Sequence, residues 1–74
     1  MSEINQKYIN KFKHALKNEG MRFTKQRFLI LRTLFENNGH YECDEIINLI
    51  KSSGKKISRA TAYRTLDILV KYNF

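Results

Sequence analysis

Glycine most constrains how this chain can fold, because it interrupts the helical periodicity at only three positions and no proline does so. Gly20, Gly39 and Gly54 separate segments whose apolar residues recur at helical spacing. No segment clearly alternates apolar and polar residues as a half-buried strand does. The pattern therefore predicts an all-α fold of four helices. The predicted helices cover about residues 3–18, 24–37, 42–52 and 58–72.

Capping residues support these boundaries. Gly20 suits a left-handed C-terminal cap, and Thr24 and Ser58 suit the N-caps of the second and fourth helices. Asn37, Asn38 and Gly39 are expected to end the second helix. The acids of the third helix lie in its first turn, where the helix dipole favours negative charge. They are Glu42, Asp44 and Glu45.

One inward-facing set of apolar residues is expected for each helix. The sets are Ile4, Tyr8, Phe12 and Leu16; Phe28, Leu31, Leu34 and Phe35; Cys43, Ile46, Ile47 and Ile50; and Ala62, Leu66 and Leu69, with Val70 at the margin. The 74 residues suffice for one domain, 1–74, with a marginal core. Cys43 is the one cysteine, which excludes an internal disulfide and fits a small core residue.

The charge distribution favours a polyanionic partner. The net charge is +7. Residues 7–27 contain seven Lys and Arg residues against one acid, and residues 49–66 contain five and no acid. Nucleic acid is the first expectation, ahead of an anionic membrane. No apolar run approaches the roughly 20 residues of a membrane span, and the start is unlike a signal peptide, so a cytoplasmic protein is expected.

The third and fourth helices, joined by a turn that contains Gly54, have the helix-turn-helix form, with the longer turn usual in winged-helix proteins. Small residues begin the fourth helix, and Tyr63 and Arg64 follow on the face opposite its apolar set. This order suits a helix that enters the major groove. Arg64 can pair with guanine O6 and N7, and Tyr63 can pack on a thymine methyl or bind a phosphate. Backbone phosphate contacts are expected from Lys55, Lys56, Ser58, Arg59 and Thr61.

Three motifs in order resemble the ferric uptake regulator family over roughly residues 10–74. Gly20-Met21-Arg22-Phe23-Thr24-Lys25-Gln26-Arg27, followed by Ile30-Leu31 and Leu34, is similar to the family's G-x-R-x-T-x-Q-R-x-x-I-L-x-x-L opening. Ile57-Ser58-Arg59-Ala60-Thr61-Ala62-Tyr63-Arg64-Thr65-Leu66 resembles its recognition-helix signature, with Ala62 in place of the usual valine. His40 and Asp44-Glu45-Ile46 resemble the segment between them.

The resemblance implies a winged helix-turn-helix domain of a bacterial metal-dependent transcriptional regulator, a repressor of metal-uptake or peroxide-response genes. It implies a homodimer on an AT-rich palindromic DNA operator, and a divalent metal (iron, zinc or manganese). Tyr63 and Arg64 would contact bases, and Arg22 would reach a narrow, AT-rich minor groove. The opening motif adds Lys25, Gln26 and Arg27 as backbone contacts.

The resemblance also implies that His40 ligates the regulatory metal in part, although an isolated histidine at a helix start is more often a surface or capping residue. The family's remaining ligands, wing strands and C-terminal dimerisation domain would follow Phe74. We therefore expect a fragment that is a monomer on its own and has no complete metal site.

Two other functions stay open. The first helix is basic and amphipathic, as membrane-surface helices are. A winged helix can also serve as a protein-interaction module without touching DNA. An enzyme is not expected, because no nucleophile–base pair, phosphate-cradling glycine loop or complete metal set is recognisable.

Overall fold

A computed structural model of the protein describes residues 5–37 and 42–74. These residues form four helices, α1 (Gln6–Asn18), α2 (Lys25–Glu36), α3 (Cys43–Ser52) and α4 (Arg59–Lys71). No strand occurs within the described residues, so the predicted all-α class is confirmed for this part of the chain. The same residues contain no helix that is both long enough and apolar enough to span a bilayer.

Local chemistry sets the helix ends. The side chains of Asn5, Thr24 and Ser58 accept hydrogen bonds from backbone N–H groups in the first turns of α1, α2 and α4. Gly20 has φ of 71°, the left-handed conformation predicted for it, and Met21 N donates to Leu16 O at 2.8 Å. The predicted ranges of α2, α3 and α4 each begin one residue too early, at the N-cap. Those of α2 and α4 also end one residue too late. Residues 3, 4, 38 and 39 of the predicted pattern lie outside the described residues.

The four helices enclose one apolar core. α2 packs against α3 and α4, α3 packs against α4, and α1 contacts α4. α4 thus touches every other helix. The buried residues are Phe12, Ala15, Leu16, Ile30, Leu31, Leu34, Ile46, Ile47, Ile50, Ile57, Ala62, Thr65, Leu66, Ile68 and Leu69.

The apolar set predicted for α1 was wrong at Tyr8, which is 43 % exposed and packs its ring 5.5 Å from that of Phe35. A strict four-residue spacing drifts around a helix of 3.6 residues per turn, so the buried stripe follows Phe12, Ala15 and Leu16 instead. In α2, Phe28 and Phe35 are only half-buried, and Ile30 is fully buried between them.

The buried face of α4 is wider than predicted. Thr65 and Ile68 are buried beside the predicted residues, whereas Val70 is 63 % exposed. Thr65 is accommodated because its hydroxyl donates to the Thr61 carbonyl oxygen at 2.7 Å, which satisfies the buried polar group.

Candidate nucleic-acid interface

One face of α4 is left free by the packing. Ala60, Tyr63, Arg64 and Asp67 are exposed, Tyr63 at 47 %, and we call these four residues the outer face of α4. The opposite side of the helix is buried in the core. Tyr63 and Arg64 lie outside the buried core, so the exposed parts of both side chains are available to a ligand. Sequence reasoning gave base contacts to Tyr63, Arg64 and Arg22, and the first two of these lie on this face.

The N-terminal end of α4 is braced by two other helices. Ser58 Oγ accepts from Thr61 N at 3.1 Å and caps the helix. Ser58 N donates to Gln26 Oε1 of α2 at 3.4 Å. Arg59 Nη1 forms an ion pair with Asp44 Oδ1 in the first turn of α3. The start of the helix is therefore fixed to α2 and to α3.

The start of α2 and the start of α4 meet at a surface concavity of roughly 350 Å³. Its lining residues are Thr24, Lys25, Gln26, Arg27 and Thr61. The first N–H groups of any helix lack intrahelical partners, and the helix dipole adds positive potential there. Together with the Lys25 ammonium group, two such ends make the concavity suited to an anion such as a phosphate.

Among the predicted backbone-contact residues, Ser58 caps α4 and Thr61 lines the concavity, and the other six divide into two groups. Lys25, Lys55 and Lys56 are exposed, as is Arg22. Gln26, Arg27 and Arg59 each have at least one hydrogen-bond or ion-pair partner within the protein. Arg27 Nη1 donates to the Arg22 carbonyl oxygen at 2.8 Å. Sequence reasoning could not foresee these partners, because charge alone does not tell where a side chain turns.

Two acidic residues contact the ends of α4, which sequence reasoning did not foresee. Asp44 pairs with Arg59, although the sequence explained Asp44 by the dipole of α3 alone. Glu19 Oε2 accepts from Lys71 Nζ at 3.0 Å and from Tyr72 Oη at 2.9 Å at the end of α4. The hydrogen bond from Lys71, and then that from Tyr72, lowers the pKa of Glu19, so the carboxylate is ionised at neutral pH.

Cys43 lies half-buried at the start of α3, near Tyr63. Burial raises the pKa of the Cys43 thiol, an effect that the neighbouring Tyr63 side chain partly offsets. The neutral thiol therefore dominates near pH 7, as in a small packing residue rather than a nucleophile.

The described residues do not provide a metal centre. No group of three or more His, Cys, Asp or Glu side chains within residues 5–37 and 42–74 is arranged to hold a metal ion. The predicted partial ligand His40 lies outside the described residues. The part of the chain that is described thus does not fit a resident metal on its own.

Comparison with known proteins points to one family. Residues 18–74 match the ferric uptake regulator family. The chain is 36 % identical over 63 residues to the ferric uptake regulation protein of Campylobacter upsaliensis, which covers 82 % of this chain and 40 % of that protein. It is 33 % identical over 64 residues to the protein of the same name from Bacillus subtilis, with 85 % and 43 % covered.

A ferric uptake regulation protein from Helicobacter pylori is 29 % identical over 66 residues, 89 % of this chain and 44 % of that protein. The chain therefore spans less than half the length of these relatives. No solved structure matches the chain.

Proposed function

This chain belongs to the ferric uptake regulator family, and from that premise we propose that it is the DNA-binding domain of a metal-responsive bacterial transcriptional regulator. The outer face of α4 carries the proposal. It presents Tyr63 and Arg64 side by side in sequence, both exposed, beyond an exposed basic turn at Lys55 and Lys56. An aromatic ring and a guanidinium group on one free helical face suit the edges of base pairs.

In this proposal α4 lies in the major groove, and phosphates hold it there. Lys55 and Lys56 contact the backbone on one side, and the concavity between α2 and α4, with Lys25, receives a phosphate on the other. Arg64 then donates to guanine O6 and N7, and Tyr63 packs on a thymine methyl. Arg22, on the segment between α1 and α2, enters an adjacent AT-rich minor groove.

The relatives are named for the regulation of ferric uptake. We extend that role to this chain as repression of metal-uptake genes, with peroxide-response genes as the second possibility. The whole protein would be a cytoplasmic homodimer on an AT-rich palindromic operator, since a two-fold dimer matches two symmetric half-sites. A divalent metal, iron, zinc or manganese, would be the signal. Its ligands would lie outside the described residues, His40 among them.

The test begins with a duplex that the chain itself selects from a random DNA library, followed by affinity measurements on that duplex and on a scrambled one. We expect Arg64→Ala to cost about 1–3 kcal/mol of discrimination between the two. Lys55→Ala should weaken both complexes alike and reduce the salt dependence by about one phosphate contact. Lys7→Ala, an equal loss of charge on α1, serves as the control. Failure to enrich any duplex, or unchanged discrimination in Arg64→Ala, would refute the proposal.

The membrane alternative loses its main physical support. A membrane-surface helix needs an exposed apolar face, but Phe12 and Leu16 of α1 are both 0 % exposed in the core. A protein-interaction module remains the second candidate. The exposed Tyr63 ring favours this function, because aromatic residues are enriched in protein–protein interfaces. The salt dependence of binding in the test described above separates DNA binding from protein interaction, because only DNA binding releases condensed counterions.

A further inference from the structure

The segment that joins α1 to α2 is held at both ends by side chains. We call residues 19–24 the Arg22 segment. At its start, Glu19 accepts hydrogen bonds from Lys71 Nζ and Tyr72 Oη at the C-terminal end of α4. Near its end, Arg27 Nη1 donates to the Arg22 carbonyl oxygen at 2.8 Å. The segment is thus tied directly to α4, which lies about 50 residues further along the chain.

Arg27 acts on the segment rather than on solvent. Its Nε is buried and has no hydrogen-bond partner within the described residues, and its guanidinium group turns back to the carbonyl of Arg22. That bond fixes the backbone of Arg22, whose side chain is exposed. Lysine keeps the charge, but it lacks the planar fork of donors that holds this geometry.

Glu19 fixes the other end. Its side chain is 25 % exposed, less than the 65 % of its partner Lys71, so the carboxylate lies against the protein surface between the two helices. The Tyr72 hydroxyl gives the carboxylate oxygen a second donor. Two donors from adjacent residues of one helix end restrict the carboxylate more than a single surface ion pair does.

We propose that Glu19 and Arg27 are positioning residues, which hold Arg22 at a fixed place relative to the outer face of α4. This inference rests on the proposed function, in which Arg22 and α4 contact the same duplex. The spacing between a minor groove and the adjacent major groove is set by the DNA. A protein with both contacts already in place loses less conformational freedom on binding.

The first test compares Glu19→Gln with Glu36→Gln. Each substitution raises the net charge by one, and each removes an ion pair, since Glu36 Oε2 lies 3.5 Å from Arg32 Nε on α2. Long-range attraction to DNA alone would strengthen binding equally in both variants. Positioning predicts that Glu36→Gln binds the selected duplex at least as tightly as wild type. Glu19→Gln should bind it about threefold to tenfold more weakly, the size of an added side-chain ordering cost.

The second test compares Arg27→Lys with Arg32→Lys, two changes on the same helix that keep the charge. If Arg27 contacted a phosphate, lysine would largely preserve the affinity. Positioning predicts instead a loss of about threefold to tenfold for the selected duplex only, with an unchanged salt slope. Arg32→Lys should behave as wild type. Thermal unfolding of each variant establishes that the measured protein is folded. The two duplexes provide a second control, because a purely structural defect would weaken binding to both of them alike.

The decisive measurement repeats both substitutions in an Arg22→Ala background. Without the Arg22 side chain nothing remains to be positioned, so Glu19→Gln should match Glu36→Gln there, and Arg27→Lys should match Arg32→Lys. Additive losses in that background would overturn the inference. So would Glu19→Gln and Arg27→Lys variants that match their controls while Arg22→Ala weakens binding, an outcome that leaves the proposed function intact. A chain that selects no duplex fails at the earlier step and overturns both.

Discussion

The ion pair at the start of α4 leads to a counterintuitive expectation, that removing an acid from α3 strengthens DNA binding. Arg59 contacts Asp44, and the two side chains are 60 % and 65 % exposed. Arg59 was expected from the sequence to contact a phosphate, and in the free protein Asp44 already occupies it. Asp44→Asn removes the charge partner of the guanidinium group and takes a carboxylate away from the proposed DNA surface.

The size of the effect follows from the exposure of the pair. An exposed ion pair contributes about 0–1 kcal/mol to stability, and a negative charge in the first turn of a helix about 0.3–1 kcal/mol. The fold should therefore survive the change. One more neutralised phosphate steepens the dependence of log K on log salt by about 0.9, which corresponds to about 3.5-fold in affinity between 50 and 200 mM salt.

Fluorescence anisotropy on a labelled duplex at four salt concentrations measures this slope. Glu45→Gln is the matched control, because it makes the same charge change in the same turn of α3 and leaves the Arg59 contact in place. Asp44→Asn should bind more tightly at low salt and show the steeper slope. A slope equal to that of Glu45→Gln would show that Arg59 gains no phosphate. Weaker binding would mean that the ion pair braces α4 for recognition instead of competing with DNA.

Three further results are expected for stability. Ser58→Ala should lower the free energy of unfolding by about 1 kcal/mol in urea titrations, because it removes the α4 cap, whereas Ser52→Ala should change it little. Phe12→Ala should cost about 3–5 kcal/mol, and circular dichroism should show a largely unfolded chain, since Phe12 is 0 % exposed and packs against two other aromatic rings. The contribution of Glu19 to the free energy of unfolding should be fully present above a pH of about 4.5 and should disappear as the pH falls through the lowered pKa of Glu19. The urea midpoints of wild type and Glu19→Gln should therefore converge in acid.

Local signals in the sequence were sufficient for the helix ends. Thr24, Ser58 and Gly20 were predicted as caps, and each makes the expected hydrogen bond or adopts the expected backbone conformation. Each of these signals depends only on atoms within a few residues of the cap. For that reason, neither the packing of the helices nor the length of the chain can alter them much.

Predictions that depend on tertiary neighbours were less accurate. A single apolar stripe assumes one packing partner, whereas α4 touches three helices and buries Thr65 and Ile68 as well. The same limit applies to the candidate site. Arg27 and Gln26 carry groups that suit phosphate, but their hydrogen-bond partners are Arg22 and Ser58, and the second of these lies 32 residues away in the chain. Sequence periodicity contains no information on such contacts.

The residues that hold α4 in place differ from those proposed to contact bases. Its N-terminal end is held by Gln26 and Asp44, and its C-terminal end by Glu19. Its core side is buried, but Tyr63 and Arg64 on the outer face lie outside the core. Substitutions of exposed side chains outside the core usually change stability by less than about 0.5 kcal/mol. Substitutions at these two positions should therefore change which bases are preferred while the helix keeps its place, so that specificity can vary on an unchanged scaffold.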